Sequence, residues 1–97
     1  MRLSNLYIEK IKEATVKYFG EESKVYLFGS RVNDDKWGGD IDLYVETNQT
    51  SEILENKLKM LSFLHKNLGE QKIDIVINNN TDDLLIYQVA KKEGILL

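Results

Sequence analysis

Val25-Tyr26-Leu27-Phe28-Gly29-Ser30, then Arg31 to Gly39, then Asp40-Ile41-Asp42-Leu43-Tyr44-Val45: this stretch decides the fold. An unbroken apolar run at 25–28 predicts a strand covered on both faces, hence central in its sheet. Gly29 and Ser30 close it with open backbone N–H groups and a hydroxyl, a combination suited to an anion because glycine has no Cβ to hold a phosphate away. Asp40 and Asp42 open the next strand, predicted over 40–45, and project from one face while Ile41, Leu43 and Val45 project from the other. Unit charges about 4 Å apart repel by roughly 4 kcal/mol at an effective dielectric near 20. A cation between the two carboxylates would relieve that repulsion.

Outward from this stretch the chain alternates helical and strand patterns. Residues 5–19 carry Ile8, Ile11, Thr15 and Tyr18 or Phe19 at helical spacing, with Ser4 as N-cap and Gly20 beyond the end. Residues 51–68 place Leu54, Leu58, Leu61, Leu64 and Leu68 along one side, starting after Thr50 or Ser51 and stopping at Gly69. Residues 72–77 read as a third strand. After a turn at Asn78–Asn80 with Thr81 as cap, residues 82–92 form a last helix, and Ile95 to Leu97 an added edge strand. The turn at 29–30 faces the Asp pair only if the first two strands are antiparallel. The helix at 51–68 is a crossover, which makes the third strand parallel to the second and brings Asp74 beside Asp40 and Asp42. Parity agrees, since Ile73, Ile75 and Ile77 share the face opposite Asp74. The architecture expected is α/β, one small domain over residues 1–97 with a mixed sheet of three to four strands flanked by helices.

The Gly29-Ser30 turn, the spacer and Asp40-Ile41-Asp42-Leu43 resemble the signature of the DNA polymerase beta-like nucleotidyltransferase superfamily. The wording Phe28-Gly29-Ser30-Arg31 and Gly38-Gly39-Asp40-Ile41-Asp42-Leu43-Tyr44-Val45 is most similar to its minimal nucleotidyltransferase (MNT) branch, whose members commonly act as antitoxins beside a helical HEPN-type ribonuclease toxin. It departs at Gly39, where such proteins often carry Ser. The resemblance implies that Asp40, Asp42 and Asp74 are catalytic and hold two Mg²⁺ ions, with Asp74 also the general base. It implies that Gly29 and Ser30 bind the phosphates of ATP, and that Arg31 or Lys36, with Arg31 favoured, neutralises the leaving pyrophosphate. The expected activity is transfer of AMP to a protein hydroxyl, a tyrosine of a cognate HEPN toxin. The alternatives are a non-catalytic antitoxin acting by occlusion, and a small-molecule transferase of the aminoglycoside type needing a second protomer.

Composition bounds the partners. With 42% hydrophobic and 30% charged residues in 97, no stretch approaches the ~20 apolar residues that span a bilayer, and the N-terminus lacks a signal-peptide pattern. A cytoplasmic protein is the expectation. The absence of cysteine excludes a disulfide framework and thiolate zinc sites. A net charge of −3 gives no global attraction to nucleic acid, and no direct binding is expected unless a local basic patch exists. Asp34 and Asp35 read as loop solvation, Trp37 as either a base-stacking lid or a loop anchor, and His65 as a boundary residue of its helix. The apolar set Leu84, Leu85, Ile86 and Ile95 to Leu97 is the expected docking surface for a helical partner or a second copy.

Overall fold

The computed structural model describes residues 3–29, 41–69, 71–80 and 84–97. Helix α1 (Asn5–Phe19) starts where the Ser4 hydroxyl accepts the Tyr7 N–H at 3.3 Å and ends where Gly20, at φ +102°, donates its N–H to Val16. Its buried face is Ile11, Ala14, Thr15 and Phe19. The Thr15 hydroxyl is satisfied within the helix by the Ile11 carbonyl at 2.7 Å. Strands β1 (Lys24–Phe28), β2 (Ile41–Glu46), β3 (Ile73–Asn78) and β4 (Ile95–Leu96) form one sheet in the order β3-β2-β1-β4. β1 is antiparallel to both β2 and β4, and β2 is parallel to β3. Both the central position of β1 and the parallel third strand follow the expectation from the apolar run and the crossover helix.

Strand parity sorts the core into two clusters. Val25, Leu27, Ile41, Leu43, Val45, Ile73 and Ile75 face α1 and α2 (Ile53–Leu68). Tyr26 and Tyr44 face the other way, onto Ala90 of α3 (Leu85–Glu93), with Phe28, Val76 and Tyr87 packed around them. Gly94 joins α3 to β4 at a point where a Cβ would collide with the Ala90 carbonyl, so the close approach itself demands glycine there. No helix among the described residues is long and apolar enough to cross a membrane.

Two details of the predicted helices need correcting. The buried stripe of α2 runs through Met60 and Leu64, with Ile53, Leu61 and Leu68 packed beside it, while Leu54 and Leu58 are 68% and 57% exposed. At 3.6 residues per turn Leu54 and Leu58 sit about 80° and 120° around the axis from Leu64, too far to share the core face that Ile53 and Met60 occupy. α2 also starts later than the expected position just after Thr50 or Ser51, at Ile53. Its cap position is Glu52 in the left-handed region at φ 58°, with no side-chain cap. Instead Asn56 Nδ2 donates to Gln49 Oε1 and Gln49 Nε2 donates to the Tyr18 carbonyl, both at 3.0 Å, which ties the entry of α2 to the end of α1. The last helix begins at Leu85; the proposed cap Thr81 and residues 82–83 lie outside the described residues.

Candidate active site

Asp42 and Asp74 are direct neighbours across the β2–β3 pair, Cα opposite Cα in parallel register. Adjacent strands lie about 4.8 Å apart, so the two carboxylates leave the same face of the sheet side by side. That face is the one carrying Tyr44, Val76 and α3, because Ile41, Leu43, Ile73 and Ile75 take the opposite face into the core. Asp42 is partly buried and Asp74 exposed.

Gly29 meets the pair from β1. Phe28 pairs with Asp42 across the antiparallel ladder, and Gly29 follows at φ +77°, a conformation that L side chains rarely adopt. A Cβ at this position would overlap the Asp42 carboxylate, with its Cγ only 3.1 Å away. The turn after β1 and the acid on β2 therefore pack against each other as the sequence pattern required, and only glycine satisfies both the backbone angle and the approach. Ser30, Arg31, Asp34, Asp35, Lys36, Trp37 and Asp40 lie outside the described residues.

Among the described residues no three carboxylate, histidine or cysteine side chains gather into a metal-binding group. The donor set that is described, two carboxylates on adjacent strands, is oxygen-only. That chemistry suits Mg²⁺, which binds through one or two protein carboxylates together with substrate phosphates. Asp40 would supply a third oxygen donor. His65 is not part of this arrangement; its Nε2 lies 2.9 Å from the Gln71 carbonyl, tying α2 to the segment that enters β3.

Tyr44 carries structural weight that its sequence context did not announce. Only 1% exposed, it lies between Tyr26 and Tyr87 with tilted rings at centroid distances of 5.6 and 5.9 Å. Its hydroxyl donates to Glu46 Oε2 and accepts from Asn78 Nδ2, both at 3.0 Å, and Lys91 of α3 sits 3.2 Å from the same Glu46 oxygen. Burial pushes the Tyr44 hydroxyl above its ordinary pKa, with Asn78 opposing and Glu46 reinforcing the shift. Tyr87 adds a hydrogen bond from its hydroxyl to the Ile77 carbonyl at 3.0 Å. Together these contacts fix α3 against the sheet face that bears Asp42 and Asp74. The only local signal was the alternation Asp42, Tyr44, Glu46, which puts Tyr44 on the face opposite Ile41, Leu43 and Val45 without showing its partners. A polar cleft of ≈ 380 Å³ between Lys24, Glu46, Thr47 and Lys91 occupies the opposite end of these strands from the carboxylates.

No significant match is found among curated proteins. The family described as "Polymerase beta, Nucleotidyltransferase" matches residues 9–97. A match over nearly the whole chain, on a mixed sheet whose second strand and its parallel neighbour bring two aspartates together beside a glycine turn, means that this chain belongs to the polymerase beta nucleotidyltransferase family.

Proposed function

We propose that the chain transfers AMP from ATP to a protein hydroxyl, a tyrosine of a HEPN-type ribonuclease toxin, and so acts as its antitoxin in the cytoplasm. The observation that carries the transferase part is the lateral pairing of Asp42 with Asp74 against Gly29 in a nucleotidyltransferase-family chain. Asp42 and Asp74, with Asp40, are the oxygen donors that would hold Mg²⁺, and Gly29, Ser30 and Arg31 would receive the triphosphate. When bound, the divalent ion neutralises triphosphate charge and lowers the pKa of the acceptor hydroxyl. The Asp74 carboxylate, exposed and therefore open to an incoming acceptor, takes the hydroxyl proton. The acceptor oxygen forms a bond to the α-phosphorus, the bond from that phosphorus to the bridging oxygen breaks, and pyrophosphate leaves with its charge offset by Arg31.

The partner assignment is supported by α3. Leu84, Leu85 and Ile86, consecutive at the start of α3, are 48%, 74% and 43% exposed, and Leu96 on β4 is 55% exposed, so these apolar side chains are open rather than packed. Ile95 and Leu97 are partly buried, and Leu97 joins the core beneath α1 and α2. The same exposed surface favours a second reading, in which docking alone occludes the toxin.

Incubating the chain with ATP labelled at the α-phosphate and a HEPN-type partner separates the two. Label should pass to the partner with the native chain and not with Asp42→Asn or Asp74→Asn. An unlabelled partner whose ribonuclease is still silenced by both variants would establish occlusion instead.

A further inference from the structure

We propose that the groove between α1 and α2, on the side of the sheet away from Asp42 and Asp74, binds single-stranded nucleic acid. The groove encloses ≈ 430 Å³ and is walled by Lys17 and Tyr18 of α1 and by Lys59, Phe63 and Lys66 of α2. Tyr18 and Phe63 meet edge to face with ring centroids 6.1 Å apart. The Lys17 ammonium lies 5.5 Å from the Tyr18 ring centre and 5.4 Å from that of Phe63, which holds one cation in place before any ligand arrives. Lys59 and Lys66 stand four residues before and three residues after Phe63, so both flank the same ring on one helix face. Lys59 has an exposed ion pair with Glu55, while Lys17 and Lys66 have no carboxylate within ion-pair distance among the described residues.

The whole chain carries −3, yet this groove concentrates three ammonium groups around two aromatic rings. Local cations placed beside π-faces are the combination that binds single strands: phosphates meet the lysines and unstacked bases meet the rings. An acidic peptide would use the lysines and leave the rings without a role. Duplex readout is disfavoured by the absence of arginine, the commonest base-edge reader, from its walls. The site is separate from the carboxylate pair, since α1 and α2 cover the opposite face of the sheet, and it stands whether or not the chain transfers nucleotides.

Fluorescence anisotropy with labelled uridylate and thymidylate 12-mers tests it. Three lysine–phosphate contacts give a log–log salt slope of about −2 for single strands, an affinity loss of about 18-fold between 50 and 200 mM salt. Lys17→Gln with Lys66→Gln should reduce the slope to about −0.7 and that loss to about 2.6-fold. Lys12→Gln with Lys92→Gln, the same change of charge at exposed positions elsewhere, should leave both unchanged. Phe63→Leu should weaken binding without altering the slope. Circular dichroism of each variant establishes that the fold is retained. The proposal is overturned by no binding at 50 mM salt, by equal losses in the two lysine pairs, by an affinity indifferent to Phe63→Leu, or by polyglutamate displacing the strand as effectively as unlabelled oligonucleotide, which would assign the groove to an acidic protein segment.

Discussion

Gly29→Ala links the backbone of the turn to the chemistry of the site, and its consequences can be worked from two numbers. At φ +77° any L side chain pays the left-handed penalty, roughly 1–2 kcal/mol. The new Cβ would also meet the Asp42 carboxylate and lie 3.3 Å from the Asp42 Cβ, so rotation of the carboxylate alone leaves a tight contact. Overpacking of this kind adds about 1–3 kcal/mol where neighbours cannot yield. The total destabilisation should fall near 2–5 kcal/mol, which for a domain of this size is a drop in Tm on the order of 10–40 °C. If Asp42 swings aside, the loss shrinks toward the left-handed penalty, and the carboxylate leaves the position opposite Asp74. Thermal denaturation of the native chain, Gly29→Ala, Asp42→Ala and the double variant resolves the cycle. In the Asp42→Ala background Gly29→Ala should cost less, falling toward the left-handed penalty of about 1–2 kcal/mol, because the overlap with the carboxylate is gone and only the 3.3 Å contact with the Cβ remains. Equal costs in both backgrounds would refute the close packing of the turn against Asp42, and with it the physical reason for glycine at this position.

Mg²⁺ with a nonhydrolysable ATP analogue at ~100 times its Kd should stabilise the native chain by about 2.7 kcal/mol. Asp42→Asn and Asp74→Asn should each lose that shift while keeping the apo circular dichroism spectrum, and a retained shift would remove the residue from the site. Met60→Ala should cost about 2–5 kcal/mol and Leu58→Ala within about 0.5 kcal/mol in denaturant titration, since Met60 is 0% and Leu58 57% exposed. Tyr44→Phe should cost about 1–2 kcal/mol through the hydrogen bonds stranded at Glu46 and Asn78. Because the native pKa of Tyr44 is raised above its ordinary 10.0, its contribution is fully present below that pH and is lost as pH rises through the native value. A stability profile above pH 10 should therefore fall more steeply for the native chain than for Tyr44→Phe.

Most of the fold was legible because strands announce themselves by parity. Ile41, Leu43 and Val45 and then Ile73, Ile75 and Ile77 could only share a core face, and that fixed Asp42 and Asp74 on the other. Helix rotation was less legible. Leu54 and Leu58 are as apolar as Leu61 and Leu64, and nothing local to α2 says that Ile53 and Met60 win the core; that is decided by where α1 and the sheet stand. The start of α2 was hidden for a related reason, because the groups that secure it are Gln49, Asn56 and the Tyr18 carbonyl, and the last lies in a different helix. The role of Tyr44 needed the third dimension as well, since Glu46, Asn78 and Lys91 come from three separate elements.

The contacts around Tyr44 explain how so small a sheet can hold acids at its surface. The α1–α2 side supplies the main apolar cluster, whereas the other side is covered over Tyr26 and Tyr44 by Ala90 and Tyr87 of one short helix. A helix of nine residues is too short to be stable alone and must be fastened by tertiary contacts. Its fastenings are the Lys91–Glu46 pair, the contact of Tyr87 with the Tyr44 ring and its hydrogen bond to the edge strand at Ile77. The Glu46 and Asn78 contacts sit at the far end of β2 and β3 from the aspartates, Glu46 being paired with Asn78 at one end of the ladder as Asp42 is with Asp74 near the other. The sheet thereby keeps α3 anchored through one end of these strands and leaves the carboxylate end outside those fastenings. Asp42 and Asp74 are thus held in register by the backbone ladder and the isoleucines beneath them.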